Sequence, residues 1–275
     1  MLQAATAALL LSACGASRAE SAVVDAAALA ALYRVQVDKR LELPPEELSG
    51  YARLAEEALA KDGTPIFQPQ YLAVVDRDPL VQAILLLWRA GPGQYEWIGA
   101  SPVATGRPGS FEHFKTPLGV FEHSLANPDF RAEGTRNANG IRGYGEKGMR
   151  VFDFGWQRVA KGWGDGAVSD MRLQMHATDP DLLEPRLGSA QSKGCIRIPA
   201  SLNRLLDHYG VLDDDYEQAV RDGRNAWMLD PLRQPVPGAG RYLLVVESGR
   251  SARPAWSPSP LPLQRKPPPS PPPRS

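Results

Sequence analysis

Three apolar runs between residues 71 and 105 restrict the fold of this 275-residue chain more than any other feature. They cover Tyr71 to Asp76, Val81 to Arg89 and Tyr95 to Thr105, and each has the length and apolar content of a strand. Asp78-Pro79 and Gly91-Pro92-Gly93 are turn signals at the two junctions. The sequence therefore predicts an antiparallel β start to a mainly β domain with a few helices.

The segment before these strands has helical periodicity instead. Apolar residues recur at helical spacing over Val23 to Leu41 and Glu46 to Ala60, with Pro44-Pro45 between the two stretches. We interpret residues 20–68 as a helical N-terminal segment that acts as a spacer or a packing element.

The first 19 residues have the features of an export signal. Residues 1–13 are small and apolar, and they are too short to span a bilayer. Leu11-Ser12-Ala13-Cys14 resembles the lipobox of bacterial lipoproteins, which predicts acylation of Cys14 and a lipid anchor. Ordinary signal cleavage after Ala19 is the alternative. Both predict a periplasmic or cell-envelope location.

The composition changes again at the C-terminal end. Residues 251–275 contain two proline triplets, Pro267-Pro268-Pro269 and Pro271-Pro272-Pro273, among serines and arginines. Such a segment cannot bury a core and favours an extended polyproline-type conformation. We therefore predict a disordered Pro-rich tail at residues 249–275, and one main domain at residues 69–248.

One cysteine lies inside this predicted domain. Cys195 occurs in Ser192-Lys193-Gly194-Cys195-Ile196-Arg197, and the other cysteine of the chain, Cys14, falls in the export segment. If that segment is processed, Cys195 has no partner for an internal disulfide, so we expect a free thiol. A thiol becomes a strong nucleophile as the thiolate, and a neighbouring imidazole is the common means of removing its proton.

His176 is the imidazole whose position fits this role. Leu173 and Met175 alternate with polar residues, which predicts a short strand from Arg172 that ends at His176 on its polar face. The chain then loops out and returns at residues 192–194, which brings the two side chains together. The remaining histidines, which are His113, His123 and His208, have no ligand spacing among themselves, so we predict no metal site.

The neighbours of Cys195 suggest supporting roles. Gly194 allows a close approach of the backbone to a substrate, and the N–H groups of Gly194 and Cys195 are candidates for stabilising an oxyanion. Ser192 is a candidate for holding the loop or for contacting substrate, with a plain turn residue as the alternative. Arg197 is a candidate for pairing with a substrate carboxylate, with a salt bridge inside the fold as the alternative.

Several further elements follow from the pattern. Pro199 suits the first turn of a helix that ends at Gly210. Residues 127–148 are rich in Asn, Gly and charged residues, and we interpret them as a partly mobile lid over the thiol, with a surface loop as the alternative. Beyond them the sequence predicts a short helix at Asp213 to Val220 and strands at Asn225 to Leu229 and Arg241 to Glu247.

These motifs resemble the L,D-transpeptidases of the bacterial cell wall, with their YkuD-like catalytic domain. The family pattern is a His, a gap of somewhat under twenty residues, and Ser/Thr-His-Gly-Cys followed by Ile/Val-Arg, which is similar to His176 and residues 192–197. Residues 116–121, Thr-Pro-Leu-Gly-Val-Phe, resemble the family's Thr-Pro-x-Gly-x-Phe segment. Lys193 and Ala177 depart from the pattern, since the family usually has a second His and a Gly or Ser there.

The resemblance covers roughly residues 70–231 and implies a β-sandwich-like L,D-transpeptidase catalytic domain. It implies a cysteine acyltransferase in which Cys195 attacks a peptidoglycan stem peptide and forms a thioester, with His176 as the base. An amine then resolves the thioester, which gives a 3-3 crosslink or attaches a wall-anchored lipoprotein. This chemistry needs no metal or organic cofactor.

Two alternatives to transpeptidation remain open at this point. One is a hydrolase on the same scaffold, an L,D-carboxypeptidase or amidase. The other is a wall-binding module without catalysis, for which Lys193 is the sequence hint. Nucleic acid is not an expected partner, because Lys plus Arg and Asp plus Glu both number 31.

Overall fold

The computed structural model describes residues 25–224 and 226–260. The predicted export signal, with Cys14, and residues 261–275 of the predicted tail lie outside these residues. The described part is mostly β-sheet with four α-helices, so the predicted mainly β fold with a few helices is confirmed. None of the helices in residues 25–224 and 226–260 has the length and hydropathy needed to cross a bilayer.

The described residues contain the following helices and strands. The helices are α1 (Ala26–Gln36), α2 (Glu46–Asp62), α3 (Ala200–His208) and α4 (Asp214–Arg221). The strands are β1 (Gln70–Asp76), β2 (Ala83–Gly91), β3 (Gln94–Pro102), β4 (Gly119–Glu122), β5 (Phe130–Arg131), β6 (Arg150–Ala160), β7 (Val168–His176), β8 (Ile196–Arg197) and β9 (Tyr242–Val246). A short 3-10 helix covers Glu184–Arg186.

The strands form two mixed sheets. The first has the order β3-β2-β1-β9-β4, in which β1 and β9 are parallel and the other neighbours are antiparallel. The second has the order β5-β6-β7-β8, in which β7 and β8 are parallel. A parallel partner has to arrive through a long connection, which is here the loop of residues 177–195. That loop carries the cysteine.

Two apolar clusters lie on opposite faces of the first sheet. Alternate residues of β1 enter them: Val75 packs with Phe152 of β6 and with α1 and α3, whereas Val74 packs with Tyr51 of α2. Because β1 is buried on both faces, its apolar run is continuous instead of alternating. The helices α1 and α2 thus pack on the first sheet.

Most of the local predictions agree with these elements. The hairpin predicted at Gly91-Pro92-Gly93 joins β2 to β3, and α3 begins directly after Pro199. The strand predicted at Asn225 to Leu229 is wrong in its described part. Residues 227–229 form a turn in which Met228 and Leu229 are buried against Tyr216, so burial in a turn produced the apolar pattern of a strand.

Candidate active site

The pairing of β7 with β8 brings Cys195 and His176 to one face of the second sheet. Met175 is aligned with Ile196 and His176 with Arg197, so Cys195 stands opposite Gln174, one step earlier in the same register. Side chains two residues apart on a strand point to the same side. The side chains of Gln174 and His176 therefore share a face with that of Cys195.

His176 is buried and is neutral at neutral pH. Its Nδ1 lies 2.5 Å from the carbonyl oxygen of Ala177. A carbonyl oxygen only accepts, so Nδ1 carries the ring proton and Nε2 keeps its lone pair. Burial lowers the pKa of His176 to about 4; the Ala177 bond opposes this shift and the charge of Arg197 adds to it. The ring is thus an unprotonated base with Nε2 as its acceptor.

Cys195 is a partly exposed free thiol. Burial raises its pKa, although the Gln174 backbone and the charge of Arg197 oppose the shift. Sγ lies 3.9 Å from the carbonyl oxygen of Arg172, to which it donates. The resting state is therefore a neutral thiol and a neutral imidazole on one face of the sheet, and the contact of the thiol with the Arg172 carbonyl oxygen has to break before the proton can pass to His176. Catalytic hydrogen bonds are commonly long in the absence of substrate.

Buried hydrogen bonds fix the loop that carries the thiol. The amides of Gln191 and Ser192 both donate to the carbonyl oxygen of Thr105, at 2.9 Å each. Ser192 Oγ accepts from the Gly194 amide at 3.1 Å and donates to the Cys195 carbonyl oxygen at 2.5 Å. Ser192 thus holds the loop, which is one of its predicted roles. Its bond occupies the Gly194 N–H and leaves the Cys195 N–H as the candidate oxyanion donor.

Thr116 is a supporting residue whose contribution the sequence did not reveal. Its Oγ1 accepts from the Gly106 amide at 2.8 Å and donates to the Gly194 carbonyl oxygen at 2.7 Å. The two glycines lie so close that a Cβ on Gly106 would be 2.9 Å from the Gly194 Cα. Gly194 has a φ of +141°, and a Cβ there would be 2.7 Å from Met171. Only glycines permit this backbone approach.

Tyr144, from the predicted lid, covers the imidazole. Its ring stands nearly edge-on to that of His176 with centroids 4.7 Å apart, and its hydroxyl donates to Gln174 Oε1 at 3.0 Å. Gln174 Nε2 and Arg172 Nε both donate to the buried Asp153 carboxylate, at 2.8 and 2.7 Å. A continuous hydrogen-bonded chain therefore connects the predicted lid to the strand that carries His176.

A cavity of about 570 Å³ opens beside this tyrosine. It is lined by residues 130–137, 141 and 143–145, which all belong to the segment predicted as a lid. Tyr144 contributes both to this cavity and to the contact with His176. The segment therefore lines a space that Tyr144 separates from the imidazole, and neither His176 nor Cys195 is among the lining residues. The mobility of the segment stays a prediction.

Lys193 and Arg197 flank the thiol but differ in their partners. Lys193 Nζ donates to Glu112 at 2.8 Å on the surface, so its charge is paired away from the sulfur. Arg197 makes no salt bridge with any described residue, and its Nε is buried without a hydrogen-bond partner in that part of the chain. The internal salt bridge considered for Arg197 is thus absent from residues 25–224 and 226–260.

Comparison with known proteins adds one weak structural likeness. No family model matches the chain, and no curated protein matches it either. A crystal structure of an L,D-transpeptidase from Xylanimonas cellulosilytica is similar with a TM-score of 0.31 and 14% sequence identity, covering 70% of this chain and 69% of that one. A likeness of this size assigns no activity to this chain.

Acidic, histidine and cysteine side chains do not form a metal site in the described part of the chain. No group of three or more of them in residues 25–224 and 226–260 has the arrangement of metal ligands. The buried acidic residue closest to the thiol face, Asp153, is occupied by hydrogen bonds from Arg172 and Gln174.

Proposed function

We propose that this protein is an L,D-transpeptidase, a cysteine acyltransferase that acts on peptidoglycan stem peptides. The observation that carries the proposal is the face shared by Cys195 and His176, with the Ala177 carbonyl oxygen fixing the tautomer in which Nε2 is the base. The sequence motifs around residues 116–121 and 192–197 support the substrate class through their resemblance to that family.

The first half-reaction forms an acyl-enzyme. His176 Nε2 takes the proton as Cys195 Sγ attacks the carbonyl carbon of the diamino acid in a tetrapeptide stem, and a carbon–sulfur bond forms. The Cys195 N–H is the backbone donor available to the developing oxyanion. The carbon–nitrogen bond to the terminal D-amino acid then breaks, and the protonated imidazole returns its proton to the leaving amine. A thioester remains on Cys195.

The second half-reaction transfers the acyl group to an amine. An amino group of a second stem peptide, or of a wall-anchored lipoprotein, attacks the thioester while His176 accepts its proton. The carbon–sulfur bond breaks, the sulfur recovers a proton from the imidazolium, and a new amide is formed. The products are a 3-3 crosslink or a protein attached to the wall.

The cavity under the predicted lid gives the stem peptide a place to bind. Its volume of about 570 Å³ falls in the range of small-molecule sites and it meets the imidazole at Tyr144. Desolvation by a bound peptide would strengthen the attraction between thiolate and imidazolium, which opposes the raised pKa of the free thiol. Activation of Cys195 is thus coupled to substrate binding.

A muropeptide assay tests the proposal. Purified protein is mixed with tetrapeptide muropeptides, and the products are read by mass spectrometry for wild type, Cys195→Ala and His176→Gln. Dimers made by wild type and absent with Cys195→Ala support transpeptidation. Tripeptides without dimers would mean a hydrolase on the same scaffold, and no product at all would leave a wall-binding module.

We further propose that the protein works in the periplasm or cell envelope, where its substrate lies, and that Cys14 carries a lipid anchor. The lipobox-like Leu11-Ser12-Ala13-Cys14 supports the anchor. Cell fractionation of wild type and Cys14→Ala tests it, because loss of the acylated cysteine should move the protein from the membrane fraction to the periplasmic fraction.

A further inference from the structure

Arginines without partners collect near the thiol. Most arginines in the described part of the chain bind carboxylates or carbonyl oxygens, as Arg150 and Arg172 do. In residues 25–224 and 226–260, four guanidinium groups have neither kind of oxygen as a partner. They belong to Arg34, Arg107, Arg186 and Arg197. Arg34 is an exposed residue of α1, whereas the other three lie around one stretch of backbone.

Backbone hydrogen bonds bring these three arginines to the same edge of the site. The Arg197 amide and carbonyl both bond to Ala104, at 3.0 Å each. Three residues further along, the Arg107 amide donates to the Ser192 carbonyl oxygen at 3.0 Å. Residues 103–107 thus run alongside the loop that carries the thiol, with Arg107 at one end and Arg197 beside the other.

Arg186 lies in the loop of residues 177–195, which connects β7 to β8. Its carbonyl oxygen accepts from Gln191, and the Gly188 amide donates to the Val103 carbonyl oxygen at 2.7 Å, which holds this part of the loop against residues 103–107. The three charges act on one another. Burial lowers the pKa of both Arg186 and Arg197, and repulsion from Arg107 and Arg186 respectively adds to those shifts.

Repulsion among these three cations favours the binding of an anion. A buried guanidinium without a partner is costly, and its planar fork of donors matches a carboxylate. Arg197 is also within electrostatic reach of the Cys195 sulfur, and its side chain lies on the face that Cys195 shares, two residues further along the strand. Two residues of strand span about 7 Å. An anion bound by Arg197 would therefore lie close enough to the thiol to belong to the same molecule as the attacked carbonyl.

We propose that Arg107, Arg186 and Arg197 form a carboxylate subsite for the C-terminal residue of the donor stem peptide. This assignment rests on the proposed function. In a tetrapeptide donor, the carboxylate nearest to the attacked carbonyl along the chain is that of the terminal amino acid, the group that leaves as the thioester forms. The subsite makes the enzyme require a free carboxylate directly after the bond that it breaks.

Alkylation of Cys195 tests the subsite without any enzymatic turnover. Iodoacetate is anionic and iodoacetamide is neutral, and both form a carbon–sulfur bond with release of iodide. The rate constant for iodoacetate divided by that for iodoacetamide should fall about threefold or more in Arg186→Gln and in Arg107→Gln, the effect of one unit charge about 7 Å away in water. Arg34→Gln, which removes an arginine far from the thiol, should keep the wild-type ratio.

The measurement has a clear negative outcome. Arg107 is exposed, so its glutamine variant is expected to fold even if Arg186→Gln does not. A ratio within twofold of wild type in every folded variant of Arg107 and Arg186 would overturn the subsite.

A pair of donors then tests the substrate class. The probes are a tetrapeptide muropeptide ending in D-alanine and the same compound ending in D-alanine amide, with release of the terminal residue as the readout. Wild type should prefer the acid about tenfold or more, and Arg186→Gln should lose this preference through a slower reaction of the acid alone. Equal rates of the two donors with wild type would overturn the assignment.

The two experiments separate the two proposals. If wild type releases neither D-alanine nor its amide while the alkylation ratio still depends on Arg107 and Arg186, the proposed function has failed and the anion subsite has not. If the donors are processed without preference and the ratio is unaffected by the substitutions, the subsite has failed and the proposed function has not.

Discussion

Two histidines of this protein are buried, and their pKa values move in opposite directions. Burial alone would lower the pKa of both. For His123 the charge and hydrogen bond of Asp129 more than offset burial, so its pKa is raised. His176 faces a carbonyl oxygen instead of a carboxylate and is repelled by Arg197, so its pKa falls to about 4. The partner, not the depth of burial, decides the charge of each ring.

The hydrogen bonds agree with these charges. His123 Nδ1 lies 2.8 Å from the Leu212 carbonyl oxygen, and Nε2 lies 2.9 Å from the Asp129 carboxylate. Both partners only accept, so both ring nitrogens of His123 carry protons. At His176 only Nδ1 is held in this way. One ring is a fixed cation, whereas the other keeps a lone pair for chemistry.

The surroundings of His123 form a closed ionic network. Arg150 Nε donates to Asp129 at 2.6 Å, and its two terminal nitrogens donate to Asp213 at 2.6 and 2.7 Å. Two cations and two carboxylates balance each other in a fully buried site. The network joins β6 to the start of the predicted lid and to the residue before α4. Asp207 extends the network toward the surface, because it lies 3.4 Å from Arg150 and also binds the partly exposed Arg131. We interpret the buried centre of the network as structural, since Arg150, Asp129, Asp213 and His123 are fully or almost fully buried.

The largest expected effect is on catalysis at His176. We expect His176→Gln to reduce kcat/KM about 10²–10⁴-fold, because the general base is lost. The free energy of unfolding should change little by comparison, since the ring is a neutral group with one hydrogen bond. Release of D-alanine and urea unfolding measure the two. The matched control, His123→Gln, should lower stability far more than it lowers turnover; the reverse pattern would exchange the roles given to the two rings.

The second effect is on stability at Arg150. Arg150→Met removes the cation between Asp129 and Asp213 and leaves two buried carboxylates facing each other. We expect it to lower the free energy of unfolding by about 3–5 kcal/mol, as breaking a buried ion pair does. Chemical denaturation measures the change. Arg158→Met, at an exposed pair with Asp170, is the control and should cost less than about 1 kcal/mol. If both variants lost a similar free energy of unfolding, the buried ion pairs of Arg150 would stabilise the fold no more than an exposed pair does.

The third effect concerns the pH dependence of the thiol. Because burial raises the pKa of Cys195 and His176 is uncharged above about pH 5, the free protein holds no stable thiolate–imidazolium pair. The rate of alkylation by iodoacetamide should therefore rise about tenfold per pH unit from pH 6 to 9. A rate that is constant over this range would instead indicate a preformed ion pair.

The smallest effect is the pH dependence of stability due to His123. A raised pKa in the folded state means that its contribution is fully present below the unfolded value, near 6.5, and is lost as pH rises through the folded value. Between those two values wild type should lose up to about 1.4 kcal/mol per pH unit relative to His123→Gln. Urea unfolding from pH 6 to 9 measures this difference. Parallel profiles would mean that His123 is neutral in the fold.

In the sequence, these two histidines differ in their neighbours along the chain and not in any signal of their charge. A strand pattern ends on His176 and a thiol follows at a suitable interval, which predicts the catalytic role of His176; β7 does end there. For His123 the sequence offers no such signal, because its partners Asp129 and Asp213 and their shared neighbour Arg150 are spread over residues 129–213. The predicted strand at residues 225–229 failed for a related reason: local apolarity cannot distinguish a buried turn from a strand.

The sequence by itself determined the elements whose signals are short-ranged. These are the first three strands and their turns, the helix after Pro199, the strand ending in His176 and the loop with its single cysteine. They follow from side-chain periodicity and from the backbone preferences of Gly and Pro, which act over a few residues.

Only the tertiary structure decided the chemistry of the site. The β7–β8 register puts Cys195 and His176 on one face, the Ala177 carbonyl oxygen selects the tautomer, and Thr116 clamps the backbone next to the thiol. It also decided that the backbone of Arg107 and of Arg197 is bonded to the strand and loop around that thiol. Within residues 25–224 and 226–260, neither guanidinium group has a carboxylate as a partner. Register and desolvation depend on residues far apart in the chain, so no local pattern encodes them.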